Sequence, residues 1–243
     1  MADIFDREEE RQRIDQLLAK RRPFLLYGPS GVGKTLLLRD VLPSFRSVLY
    51  CEDSATTNMI FRSLARSLLR LQSPRACKVF RNEDAIAAKS AVSLKGIVID
   101  ALREGEYSIV LDHLKRPSYS FASAVREVMG WGSTPVSAVA RSSHMEDTGF
   151  LQPLYGDRSQ KCEIHNFDAT TAEQFARERI KRSGLSGSNI SEFVDKVLEF
   201  SGGNPGAIIA LIDMATYPKY RSEEHIKISP LYIDFRMQGG VAR

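Results

Sequence analysis

The sequence predicts an α/β fold in which short apolar strands alternate with helices, followed by a smaller part made of helices alone. Three observations predict it. The first is the loop Gly28-Pro29-Ser30-Gly31-Val32-Gly33-Lys34-Thr35, set between an apolar run, Phe24 to Tyr27, and a helical one, Leu36 to Leu42. The second is the apolar stretch Tyr107 to Leu111, which ends in Asp112. The third is a change of pattern after Phe167, beyond which only helical spacing recurs.

Bulk properties set the frame. The 243 residues suit one domain, or one with a small appendage. Hydrophobic residues make up 43% and charged ones 26%, as in a soluble globular protein with a full core. No apolar run approaches the ~20 residues of a membrane span, so no membrane partner is expected. The start, Met1 to Arg13, is too charged for a signal peptide. Cys51, Cys77 and Cys162 are odd in number and far apart. They point to a reducing, cytoplasmic setting and to neither a disulfide framework nor a metal cluster. The net charge of +4 permits nucleic acid as a partner without arguing for it.

The loop carries the clearest chemistry. It matches G-x-x-x-x-G-K-[ST] between a strand and a helix, the setting in which the pattern means a phosphate site. Gly28 turns the chain off the strand. Gly31 and Gly33 let the backbone come close to phosphate oxygens with no Cβ in the way. The N–H groups of Pro29's successors, Ser30 to Leu36, and the helix dipole face the anion. Lys34 supplies a point charge for the β- and γ-phosphates, and the Thr35 hydroxyl is placed to ligate Mg²⁺. The loop does not separate ATP from GTP.

Ahead of it, Asp6 and Glu9 have the spacing of a capping box, with a helix to about Lys20 that carries Ile14, Leu17 and Leu18 on one face. Ile4 and Phe5, just before, read either as packing or as part of an adenine pocket. After the loop, Ser47 to Cys51 is a strand, and Thr57 to Leu71 a helix with Ile60, Leu64, Leu68 and Leu71 at helical spacing. Arg75, Lys78 and Arg81 recur every three residues and read as a solvated face. From Ala85 to Arg103 the pattern is helical, with a break near Ser93.

An apolar strand ending in aspartate suits a metal-bound phosphate site. There Asp112 holds Mg²⁺, through water or the Thr35 hydroxyl, beside the loop. Asp100 also follows an apolar run, but that run continues at helical phase. His113 stands where many such ATPases place a glutamate that polarises the attacking water. An imidazole can accept a proton, but its geometry and charge differ. Either Glu52 or Asp53 supplies the acid, or hydrolysis is slow; slow hydrolysis is the expectation.

A helix is expected from Ser123 to Gly130 and a fourth strand from Pro135 to Ala140. At that strand's tip, Arg141 is either a γ-phosphate sensor or a surface arginine. Arg158, before a short fifth strand at Cys162 to Asn166, is either an arginine finger toward a neighbouring subunit or a solvated loop residue. Thr170 and Glu173 have capping-box spacing. Helices follow to Phe200, and Gly202-Gly203-Asn204-Pro205-Gly206 breaks the chain before a last helix that Pro205 opens. The expected divisions are 1–167, 168–217 and a tail, 218–243, with short extended segments at Ile226 to Ser229 and Leu231 to Ile233 and disorder at the end.

Taken together, these features resemble the P-loop ATPases of the AAA+ and STAND type, nearest to their archaeal-ATPase and origin-recognition relatives. Four stretches carry the resemblance across residues 3 to about 215. Ile4 to Glu10 is similar to the hydrophobic–G/D–R–E–x–E segment of those families. Gly28 to Thr35 is the Walker A motif and Ile109 to Asp112 the Walker B. Ser201 to Pro205 resembles the G-x-P element of the STAND helical domain, in which the proline approaches the nucleotide. Arg141 resembles the STAND sensor-1 arginine.

The resemblance implies a three-layer α/β fold with a parallel five-strand sheet, order 5-1-4-3-2, and a small helical lid, with ATP and Mg²⁺ bound between them. An ATPase of this kind would reset a conformation by hydrolysis, slow here because of His113; a second reading is a switch or assembly module that presents a surface to other copies of the chain (a homo-oligomer), to DNA or to a protein partner. Transposon-regulator ATPases of similar minimal size make a DNA-bound oligomeric regulator with little turnover the alternative. A phosphate-transferring kinase is a third reading, against which the helical lid and the lack of an arginine-rich lid loop both speak. The chain departs from the family at His113 and in lacking an arginine at the start of the last helix.

Overall fold

The apolar runs become strands because both of their faces find cover. In the computed structural model, which describes residues 5–52, 54, 56–114, 116–132 and 134–239, the first run forms β1 (Leu25–Tyr27), preceded by α1 (Glu8–Ala19) and followed by α2 (Lys34–Val41). The chain continues through β2 (Val48–Cys51), α3 (Thr57–Arg70), α4 (Pro74–Val79), α5 (Glu83–Ala87), α6 (Ala91–Glu104) and β3 (Ser108–Leu111). Then come α7 (Tyr119–Gly132), β4 (Val136–Ala140), α8 (Met145–Thr148) and β5 (Lys161–Glu163). The strands form a parallel sheet of five, order β2-β3-β4-β1-β5, as expected. Every position of β3 and β4 is buried, as a parallel sheet covered on both faces requires.

Alternation along the strands sorts the core. Leu25, Leu49, Cys51, Ile109, Leu111 and Ala138 pack with Ile60, Leu64 and Leu68 of α3 and with Leu94 and Val98 of α6. Phe121 and Val125 of α7 complete this layer. Leu26 and Val110 point to the opposite face and are buried as well, as are Ile14 of α1 and Leu37 and Leu38 of α2. The result is a three-layer α/β P-loop NTPase fold.

Residues 7–28 and 35–163 make this α/β unit; residues 5–6, 29–34 and 164–239 make the other. The second unit is built on α9 (Ala169–Ser183), α10 (Ile190–Ser201), α11 (Pro205–Ala215), the hairpin β6 (Arg221–Ser222) and β7 (His225–Ile226), and α12 (Ile228–Met237). Its core gathers Ala176, Phe193, Val197, Ile208, Leu211 and Ile212.

Several local expectations are corrected. Arg7, not Asp6, precedes α1, and it makes no side-chain cap bond. Asp6 has φ +51 and accepts instead from the Thr171 hydroxyl at 3.0 Å. Asp168, not Thr170, caps α9, by accepting from the Thr171 N–H at 2.8 Å, and Glu173 pairs with Arg177 one turn on. The helical break expected near Ser93 lies three residues earlier, because the Ser90 hydroxyl caps α6. Arg75 is tied to Asp100 at 2.9 Å, and Lys78 and Arg81 are exposed. Asp100 lies on α6, so its run is helical, as its phase indicated.

The fifth strand ends at Glu163, before Asn166. Leu231 to Ile233 is helical, not extended: Leu231 and Phe235, one turn apart on α12, bury against the core that holds Tyr220 and Ile226. Residues 218–239 are thus folded into the helical unit. Ile4, expected near an adenine pocket, and Asp53, the alternative acid, lie outside the described residues.

Candidate functional site

Three parallel strands end together. In the register Tyr27 pairs with Ala140, and Leu111 with Ala138. Gly28, Asp112 and Arg141, each the residue after its strand, therefore leave the sheet along one carboxyl edge, the usual place for a ligand in such sheets. Arg141 is exposed. Arg158 precedes β5, so it lies toward the amino edge and is not brought to this cluster. Its carbonyl accepts from Arg13 at 3.4 Å.

Asp112 is 1% exposed. Its charge is held by neutral donors. Thr35 Oγ1 donates to Oδ2 at 2.8 Å, Tyr50 Oη to the same oxygen at 2.6 Å, and the His113 N–H to Oδ1 at 2.7 Å. Burial, and then the bond to Asp112, pushes the Tyr50 phenol well above its ordinary pKa, so it stays protonated as a donor. The His113 imidazole is 58% exposed, with Nε2 3.8 Å from Asp112 Oδ2, beyond hydrogen-bond reach. His113 itself sits at φ +53. Glu52 pairs with Arg39, which occupies the carboxylate that was an alternative acid.

The loop segment 29–34 belongs to the helical unit and is held by it. Asn204 is 2% exposed. Its Nδ2 donates to the Ser30 carbonyl at 2.9 Å and to Asn166 Oδ1 at 3.0 Å, and its Oδ1 caps α11 by accepting from the Ala207 N–H at 3.1 Å. The Gly206 N–H donates to the Gly31 carbonyl at 3.0 Å. Glycine is required at 31: φ is +79, and a Cβ there would meet Asn204 Oδ1 at 2.7 Å. Gly33, at φ +101, is in a conformation that other residues rarely adopt.

Pro29 and Ser30 are exposed, Val32 is buried, and Leu36 is half-exposed on the first turn of α2. Lys34 Nζ arches over its own loop and donates to the Pro29 carbonyl at 2.8 Å. Pro205 opens α11, as expected, and is buried. Phe5 packs against Phe167 and Phe175, with ring centroids 6.0 and 5.4 Å apart.

Sequence reasoning missed Tyr50 and Asn204. Tyr50 reads as one more apolar strand residue. Asn204 carried a usable signal, since asparagine just before a helix-opening proline is a strong cap.

Asn204→Ala is expected to destabilise the protein by about 1–3 kcal/mol, from the lost cap and the bonds to Ser30 and Asn166. Asn204→Asp, which keeps the cap but loses both donors, should fall between. Thermal melts of the three proteins check the order.

The donor set fits Mg²⁺. Thr35 and Asp112 offer hard oxygens, and the Asp112 carboxylate is buried. Among the described residues no cluster of three or more acidic, histidine or cysteine side chains could hold a metal unaided. Mg²⁺ bound through one carboxylate, with waters and phosphates completing its shell, suits such a sparse site.

No protein-family model and no curated protein matches the sequence. Solved structures do. The chain is similar to a Walker-type ATPase of Pyrococcus abyssi, at 19% identity and TM-score 0.68, over 98% of this chain and 74% of that one. It is similar to Cdc6p of Pyrobaculum aerophilum, at 15% identity and TM-score 0.62, over 98% and 64%. It is also similar to the Aeropyrum pernix Orc1 protein, solved in complex with DNA, at 17% identity and TM-score 0.63, over 98% and 66%. This chain thus spans about two thirds of the Cdc6p and Orc1 chains. At such identities the likeness is one of fold alone, the three-layer α/β P-loop fold described above.

Proposed function

We propose that this chain binds ATP with Mg²⁺, hydrolyses it slowly, and serves as a nucleotide-driven switch of conformation or assembly. The observation that carries the reading is the buried Asp112 carboxylate. It is held by the Thr35 hydroxyl, directly after the glycine-rich loop and Lys34.

In this reading the loop N–H groups and Lys34 bind the triphosphate, and Thr35 and Asp112 hold Mg²⁺. Bound Mg²⁺ neutralises charge on the phosphate oxygens. Lys34 gives up the Pro29 carbonyl for a phosphate, a stronger charge-assisted bond. Arg141 reads the γ-phosphate. His113, out of reach of Asp112 and lacking a carboxylate's charge, is a poor base for the attacking water, which supports slow turnover. Phe5 flanks the adenine, and Pro205 approaches the nucleotide.

The switch has a physical basis inside the helical unit. Asn204 and Gly206 at the start of α11 hold the carbonyls of Ser30 and Gly31. Phosphate binding acts on that same loop, so nucleotide biases whichever state of the α11 contact suits it. Residues 168–217 then act as the lid. Arg158, on the amino side of β5, serves only a nucleotide held by another copy of the chain.

Two assays on one preparation test the proposal. Phosphate release with Mg²⁺ is expected to be slow, and absent from Lys34→Ala. Mass in solution is expected to rise with ATP. A rise that also needs duplex DNA supports the alternative, a DNA-associated oligomeric regulator. An unchanged monomer under every condition removes the assembly reading.

A further inference from the structure

Tyr50 is absent from the site that the motifs define, yet the strands place it there. On β2, Leu49 and Cys51 are buried in the core, while Val48 and Tyr50 face the other way and are half-exposed. In the register Tyr50 pairs with Val110, and a period of two puts Asp112 on the same face, one diagonal step along. The phenol spans that step and ends 2.6 Å from Asp112 Oδ2. A tyrosine kept only for packing would not aim its hydroxyl at a carboxylate that is 1% exposed.

A carboxylate accepts along about four directions. Thr35 and Tyr50 take two on Oδ2, and the His113 N–H takes one on Oδ1. One direction on Oδ1 is left. Thr35 also has to offer its oxygen to the metal, whereas Tyr50 has no such second duty. Together with the His113 N–H on Oδ1, the Tyr50 bond therefore fixes the carboxylate plane whatever Thr35 does.

We infer that Tyr50 is a positioning residue for the metal-holding carboxylate: its bond to Oδ2 fixes the plane in which Asp112 would meet the Mg²⁺ that accompanies the triphosphate. The inference rests on the nucleotide-and-magnesium reading above. Tyr50 acts through Asp112 and touches neither phosphate nor metal. Groups of this kind around metal ligands typically tune affinity about 10- to 100-fold.

The test is Tyr50→Phe, which keeps the ring and removes one oxygen. A fluorescent, non-hydrolysable ATP analogue is bound to wild type and variant while Mg²⁺ is titrated. The half-saturating Mg²⁺ concentration is expected to rise about tenfold in the variant. Analogue affinity in EDTA is expected to stay at the wild-type value, whereas a merely structural role would weaken binding with and without Mg²⁺ alike. Electron paramagnetic resonance with Mn²⁺ as probe should show the same weakening. An unchanged or lowered half-saturating concentration overturns the role of Tyr50 and leaves the nucleotide reading standing. A wild type that binds no analogue, or binds it without regard to Mg²⁺, overturns both.

Discussion

Lys34→Ala is expected to cut ATP affinity by about 100-fold, equivalent to roughly 3 kcal/mol, the upper range for a hydrogen bond to a charged group. Lys34 is the one cation within the loop, and it opens α2, whose first N–H groups also face the anion. In this structure its Nζ is held by the Pro29 carbonyl, so phosphate exchanges one bond for a stronger one. The alanine variant loses that exchange but keeps the backbone cradle, because Gly31 and Gly33 set the loop's shape. Its melting temperature should therefore stay near wild type while calorimetric titration with ATP goes flat. Equal affinity in the two proteins would place the nucleotide elsewhere.

His113→Glu is expected to raise turnover by tenfold or more, within the roughly 10²–10⁴-fold that a positioned general base contributes. The side chain follows a carboxylate buried at the sheet's edge and is itself 58% exposed, so it has room to meet a water. Its backbone, at φ +53, already bears the cost of a left-handed non-glycine residue, and glutamate adds little to it. ATP affinity should be unchanged, which separates a gain in chemistry from a gain in binding. A fall in turnover would mean that His113, or a group it orients, is the working base.

Much of this was legible in the sequence because the signals were local. The loop sits within a few residues of the strand and helix that give it meaning, and the five apolar runs became the five strands in the expected order. Capping was less legible. At Asp6 and Thr170 the spacing of a box was present, but Asp168 outcompeted Thr170, and Asp6 was drawn to Thr171, 165 residues away. Leu231 to Ile233 looked extended in isolation; only the core around Ile226 and Tyr220 makes Leu231 and Phe235 the buried face of a helix.

The site divides in the same way. Thr35 and Asp112, which the structure joins at 2.8 Å, were candidates because their motifs name them. Tyr50 was missed because its contact with Asp112 depends on strand register, which joins residues 62 apart in the chain. Asn204 was missed because its contact with Ser30 spans 174 residues, although its place before Pro205 was a usable sign of a cap. Arg158 was readable as a cation near a strand, but not as one on the amino side of the sheet, since that depends on strand direction.

The measurement that bears most directly on slow, loop-bound hydrolysis is a single turnover. Protein in excess over γ-labelled ATP is followed with Mg²⁺ and with EDTA, for wild type and Lys34→Ala. The expected result is slow conversion of bound ATP to ADP and phosphate by wild type with Mg²⁺, and none in EDTA or in the variant. Equal phosphate release from wild type and Lys34→Ala, or release that ignores Mg²⁺, would contradict it.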